Sequence, residues 1–276
     1  MALYQGINTP PAVSQRFSTS TPHTISFVSR DNMTFHIDRT KLERAADFAP
    51  PSDAQSSPTE IIRLEERYVE LDLLFRFVYC DVDIDFDVLP FQDVEGLAEA
   101  AEKYIVHSAI PVCRMYMKSK AKMEPISVLK YAIKHNYRDI LNVVAPYTIG
   151  QDFFMFRLLS NIPDAYVAPW VSFNFQYQQV ALQVMRICGN HHDSHVDQDI
   201  ECTLEDPEQT WVWLKREVAY ALLSTSFQGL LNLEEVFTME VMHSVVPCEA
   251  CCHMVDIWKS DIADKVRRIK AFTTFL

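Results

Sequence analysis

Residues 68–116 constrain the fold more than any other part of the chain. They hold two apolar-striped helical stretches joined by an acidic connector that begins just after Tyr79. In the first stretch Leu71, Leu74, Phe75 and Val78 fall at i, i+3, i+4 and i+7, one face of a helix over about residues 69–79. In the second, Leu97, Ala101, Tyr104 and Ile105 share a face in the same way. Ser108 is placed to cap a further helix that tolerates Pro111 in its first turn. Helices striped like this must pack against something. The stretch holds no set of side chains arranged for catalysis, which favours a binding protein over an enzyme.

The chain around this stretch is 276 residues long, 49% apolar and 12% aromatic, enough for two domains with sizeable cores. Residues 1–22, rich in Pro, Ser and Thr, read as a disordered N-terminal tail. Ile25 and Phe27 then alternate with polar residues, Asp31-Asn32 supplies a turn, and Met33, Phe35 and Ile37 alternate in turn, which predicts a hairpin with one buried face. Asp38 suits the N-cap of a short helix through Leu42. Residues 45–59 read as a Pro/Ser loop, and Ile61, Ile62 and Leu64 as one more short strand. From about residue 96 the chain reads as almost wholly helical. Pro125 opens a helix striped by Ile126, Leu129 and Ile133, which Asn136 ends, and a second runs from Tyr137 to Pro146. Asn232 and Glu235 stand at capping-box spacing before Val236 and Phe237. A last helix carries Trp258, Ile262, Val266 and Ile269 on one stripe.

Several function classes lose ground on composition. The five glycines are widely spaced (Gly6, Gly96, Gly150, Gly189, Gly229), so no glycine-rich loop can cradle a phosphate. A net charge of −12 opposes a nucleic-acid partner. The one basic cluster, Lys265, Arg267, Arg268 and Lys270, lies where cations complement a helix C-terminus. No apolar run is long enough to span a membrane, and the N-terminus lacks the pattern of a secretory signal. Seven unevenly spaced cysteines suit reduced thiols, so a cytoplasmic or nuclear protein is expected rather than a secreted one.

Asp81, Asp83, Asp85 and Asp87 alternate with apolar residues, but a calcium loop counted from Asp81 would need Gly and Glu where Phe86 and Gln92 stand. An extended connector with one wet face is expected instead. There is no G-x-S-x-G elbow and no H-E-x-x-H. His107 and His135 border apolar stripes and read as packed or interfacial, and Trp170, Trp211, Trp213 and Trp258 as core.

The metal signal lies in the last third. Cys248-x-x-Cys251 has the spacing of half a tetrahedral zinc site, because thiolates three residues apart meet in one turn. Cys188, His191, His192, His195 and Cys202, in a polar segment upstream, offer the other half. The expected set is Cys248, Cys251, Cys202 and His191, holding a structural zinc and no other cofactor. Small buried hydrophobes, solvated histidines and a redox pair are the competing readings of the same residues.

The order of hairpin, short helix, third strand and helical series resembles a BTB/POZ domain. Phe35-His36-Ile37-Asp38-Arg39-Thr40-Lys41-Leu42 is similar to that family's F-x-V-H-R-x-x-L, Leu73–Tyr79 to its L-L-x-F-I-Y, and Leu97-Ala98-Glu99-Ala100-Ala101-Glu102-Lys103-Tyr104 to its L-L-x-A-A-x-K-Y. Val128–His135, Ala168-Pro169-Trp170-Val171 and the ending Phe272–Leu276 resemble BTB-containing proteins abundant in mushroom-forming fungi. The chain departs from the family at Thr24, where an acidic residue usually opens the first strand, at Asp38, where a histidine is usual, and in the 45–59 loop.

The resemblance implies an α+β fold, with a BTB/POZ-like small sheet flanked by helices over residues 23–120 and a mainly helical region over 121–276. It also implies protein–protein interaction, as a scaffold or a ubiquitin-ligase substrate adaptor. The partners it implies are other proteins, among them a second copy of the chain through the BTB domain and a cullin-type ubiquitin ligase. Where such adaptors often carry an apolar-x-Glu motif, this chain has Pro58-Thr59-Glu60, which matches it poorly. No nucleic-acid or membrane partner is expected. The alternative reading is a zinc- or thiol-dependent enzyme built on the C-terminal cysteine/histidine set.

Overall fold

The alternating run Thr24–Val28 (β2) and the run Met33–Asp38 (β3) form the expected antiparallel hairpin. Its register sets Ile25 opposite Ile37 and Phe27 opposite Phe35, so the large side chains of both strands leave the same face. The turn closes through Asn32 at φ 66°, a conformation asparagine tolerates, and the Ser29 hydroxyl donates to Asp31 Oδ1 at 2.6 Å. These details come from a computed structural model that describes residues 12–47, 61–80, 83–150, 162–186 and 202–276, the side chains of 185 and 186 excepted.

The chain divides into two compact units, residues 1–120 and 121–276. Its described residues are mixed α/β and mostly helical, and they form one small sheet of four strands, in which two short strands, β1 (Ala12–Val13) and β4 (Ile61–Arg63), flank the hairpin in the order β1-β3-β2-β4. β1 runs parallel to β3, and β4 runs parallel to β2 with Phe27 beside Ile62.

β1 corrects the tail assignment for residues 12–22. Ala12 N–H donates to Asn32 O and Ser14 N–H to Thr34 O, while Phe17 is only 4% exposed. Main-chain hydrogen bonding is indifferent to side-chain type, and one aromatic among many small polar residues is enough to dock the segment.

Helix α1 (Arg39–Ala45) starts where Asp38 accepts a hydrogen bond from Lys41 N–H at 3.0 Å, the expected cap. Helix α2 (Tyr68–Val78) buries Leu71, Leu73, Leu74, Phe75 and Val78. Its first turn is fixed by Glu70, whose carboxylate accepts from Arg67 N–H at 2.7 Å and from Arg67 Nε at 2.8 Å. The same guanidinium reaches Asp93 of helix α3 (Phe91–Lys103) at 2.9 Å. α3 buries Val94, Leu97, Ala98, Ala100 and Ala101. Ile105 leaves the expected stripe, because the helix ends at Tyr104 and Ile105 turns into the left-handed region at φ 51°, 43% exposed.

Helix α4 (Ala109–Ser119) begins after Ser108, yet the Ser108 hydroxyl caps nothing and donates to Phe77 O at 3.2 Å. The core of this unit is a set of rings centred on Phe75, whose centroid lies 5.3 Å from Phe35, 5.4 Å from Phe27 and 6.0 Å from Phe17. Residues 83–87 of the acidic connector alternate exposed and half-buried, with Phe86 packing on Phe77 and Tyr116.

In the second unit helix α5 (Pro125–Lys134) buries Val128, Leu129, Tyr131 and Ala132. The stripe is rotated from the one expected, because the whole Tyr131 ring goes inside and packs against His135 and Tyr137. Helix α6 (Arg138–Val144) runs into a 3-10 turn, Ala145–Thr148, holding Pro146. Helix α7 (Asp164–Arg186) meets the chain end where Phe173 stands edge-on to Phe272 at 5.7 Å. Gln176 Nε2 donates to Lys270 O, and Lys270 N–H donates to Gln176 Oε1.

Helix α8 (Pro207–Ser224) is capped by Asp206 through Gln209 N–H. The Asn232–Glu235 pair meets at 2.7 Å but closes only the 3-10 turn Leu233–Glu235, so the helix expected there is absent, although Val236 and Phe237 are buried. A short helix α9 (Met239–Met242) precedes helix α10 (Glu249–Arg267). At the end of α10, Lys265 pairs with Asp261 and Arg267 with Asp264, so the basic cluster is partly neutralised within its own helix. No helix among the described residues is long and apolar enough to cross a membrane.

Candidate metal centre

Two loop-to-helix junctions of the second unit build this site. Cys202 lies just before the Asp206 cap of α8. Cys248 is the N-cap residue of α10, and Cys251 follows in its first turn. Residues three apart on a helix face the same way, so the CxxC spacing brings these two sulfurs to one side. The junctions are joined by main chain as well as by sulfur. Thr203 N–H donates to Cys248 Sγ at 3.4 Å, and the Thr203 hydroxyl donates to Pro247 O at 3.4 Å.

Cys202 Sγ lies 3.7 Å from Cys251 Sγ and 3.7 Å from Cys248 Sγ, and all three sulfurs fall within 4.8 Å of one another. Cys248 and Cys251 are buried, and Cys202 is half-buried and gives the cluster its access to solvent. Burial alone would push the Cys248 thiol up, but the amides of Thr203 and Cys251 favour the thiolate more strongly and bring it below the usual thiol range. Cys251 moves the other way, raised by burial and then by the neighbouring sulfurs of Cys248 and Cys202, against an opposing hydrogen bond from Trp211. The Trp211 indole that neighbours Cys251 packs on Trp258 at 6.3 Å, and Phe237 stands edge-on to Trp258 at 5.3 Å.

Of the four expected ligands the structure brings Cys202, Cys248 and Cys251 together. His191 lies outside the described residues, as do Cys188, His192 and His195. Cys252, adjacent in sequence, is turned away and donates to Val245 O at 3.5 Å. Among the described residues this trio is the one group of three or more metal-ligating side chains close enough to share an ion.

The other candidate residues stay apart from it. His107 is 59% exposed and pairs with Asp47 at 3.2 Å, so it is not packed in a core. Trp170, Trp211 and Trp258 are buried as expected, and Trp213 is half-buried against His243. Three sulfurs on one side of a small space can hold a thiophilic cation. No family model matches this chain, and no curated protein and no solved structure shows significant similarity to it.

Proposed function

We propose that the first unit is a BTB/POZ-like protein-interaction module and that the chain acts as a binding scaffold rather than as an enzyme. The observation that carries the reading is the order of pairing. An antiparallel hairpin is followed by a capped short helix, a strand returning parallel to the first hairpin strand, and a helix pair closed by a third helix. The succession of hairpin, short helix, third strand and helices supports the resemblance to a BTB/POZ domain.

The surface chemistry supports the same reading. β1 and β4 occupy the two ends of the strand order, where main-chain groups can accept a further strand. Ile61 on β4 is 53% exposed, and on α4 Met115 is 74% exposed with Val112 three residues before it on the same face. Apolar groups left outside in this way suit a protein partner. Self-association and recruitment of a cullin-type ubiquitin ligase are parts of the same proposal. So is a nucleocytoplasmic setting, which suits the free thiols of all six described cysteines.

The test is a quantitative comparison of proteins captured by the intact chain and by a Val112→Asp/Met115→Asp variant, with light scattering on both. A defined partner, or a dimer, retained by the parent and reduced at least tenfold in the variant is expected. A strict monomer whose captured proteins are the same in both refutes the proposal.

A further inference from the structure

The second unit carries a site that an interaction module does not require. We infer that Cys202, Cys248 and Cys251 bind one zinc ion through their three sulfurs, joining the segment before α8 to the start of α10.

The spacing argues for it. A tetrahedral ion with zinc–sulfur bonds of about 2.3 Å sets its sulfurs roughly 3.8 Å apart. Two of the pairs here stand at 3.7 Å, and the third lies within 4.8 Å. The sulfurs come from segments 46 residues apart, so local helix geometry alone does not gather them. Cysteines serving only as small buried hydrophobes have no reason to converge on a common centre. The sulfurs also have the kind of outer support that zinc thiolates use, with an N–H from Thr203 directed at Cys248.

On binding, each sulfur forms one bond to the cation, and any thiol still protonated releases its proton to solvent. No electron is transferred. The fourth position is filled from outside the trio, by water or another donor. Full coordination by protein makes the site structural, whereas a retained water would leave a Lewis-acidic zinc.

The experiment uses the full chain purified under reducing conditions without added metal or chelator. Elemental analysis should return about one zinc per chain. Cobalt added after zinc removal should give a sulfur-to-cobalt charge-transfer band in the near ultraviolet and visible bands of a tetrahedral site. Cys202→Ser sits on a half-buried loop position where serine is tolerated, and it should weaken cobalt binding at least tenfold. Cys80→Ser, at an exposed cysteine of the other unit, should leave it unchanged. If Cys202→Ser does not fold, the metal content and cobalt spectrum of the parent chain decide alone.

Zinc far below one per chain with no tetrahedral cobalt spectrum overturns the inference. So does a disulfide joining two of the three sulfurs in protein purified as described, or cobalt binding indifferent to Cys202→Ser. None of these outcomes bears on the interaction surface of the first unit, so the two proposals stand or fall separately.

Discussion

Phe17→Ala tests how far the sheet and its ring cluster extend toward the N-terminus. The Phe17 ring touches Phe35 at 6.1 Å, Phe75 at 6.0 Å and Tyr79 at 5.2 Å, and its residue is 4% exposed. Truncating a buried Phe to Ala costs about 3–5 kcal/mol in a core that cannot collapse. Here the loss has an upper limit. Phe17 is held on a segment attached to β3 by few main-chain bonds, among them His36 N–H to Phe17 O at 2.9 Å. Once the ring is gone, the segment can peel away without unfolding the unit. The expected cost is therefore about 3 kcal/mol, at the lower end of that range.

The assay is urea unfolding followed by far-ultraviolet circular dichroism. All four tryptophans lie beyond residue 121, so indole fluorescence follows the second unit as an internal control. With a slope near 1.5 kcal/mol/M, the first-unit midpoint should fall by about 2 M while the fluorescence transition stays in place. Val13→Ala, at a side chain 49% exposed, should shift the midpoint little. A Phe17→Ala midpoint equal to that of Val13→Ala would show that the segment is not docked on the sheet, and the reasoning about the ring cluster would be wrong.

Glu66 accepts from Lys103 Nζ at 2.8 Å and Tyr104 Oη at 2.7 Å; burial opposes its charge, but these hydrogen bonds outweigh it and lower its pKa from 4.5. Because the folded value lies below the unfolded one, the stabilisation is complete above about pH 4.5 and is lost as pH falls through the folded value. Glu66→Gln should cost about 1 kcal/mol at neutral pH, discounted for the partial exposure of Lys103, and the gap from the parent chain should close in acid denaturation series. Gly150→Ala should destabilise the second unit by roughly 2 kcal/mol or more in calorimetry, since φ is 71° there and an added Cβ would run into the Ser226 carbonyl. Thr148 Oγ1 accepts from the Trp170 indole at 3.0 Å and donates to Ala145 O at 2.7 Å. Thr148→Val should therefore cost about 1–3 kcal/mol, read from the fluorescence unfolding transition.

How much of this was legible in the sequence depends on the range of the signal. The hairpin, the Asp38 cap and the buried face of α2 rest on neighbours within a few residues, and periodicity displays such neighbours directly. Phe17 was hidden because composition averages over a segment, while docking needs only one ring and a free strand edge. The α5 stripe is only partly legible, because apolar spacing points to Ile126 and Ile133 whereas the helix buries the large Tyr131 ring beside Val128, Leu129 and Ala132. Ile105 leaves the stripe because α3 ends before it and its backbone turns left-handed at φ 51°, which apolar spacing does not display.

The candidate site divides along the same line. Cys248 and Cys251 are linked by helix geometry and can be read from spacing. The proximity of Cys202, 46 residues away, is a tertiary fact, and only its place in a polar Cys/His-rich stretch pointed to it.

Cross-linking mass spectrometry on the intact chain with its captured partner tests the interaction reading most directly. Links between molecules should concentrate on Lys118 and Lys120, at the end of α4 beside Met115, and fade in the Val112→Asp/Met115→Asp variant. Links confined to lysines of the second unit, such as Lys215 and Lys259, or no links between molecules at all, would contradict the account.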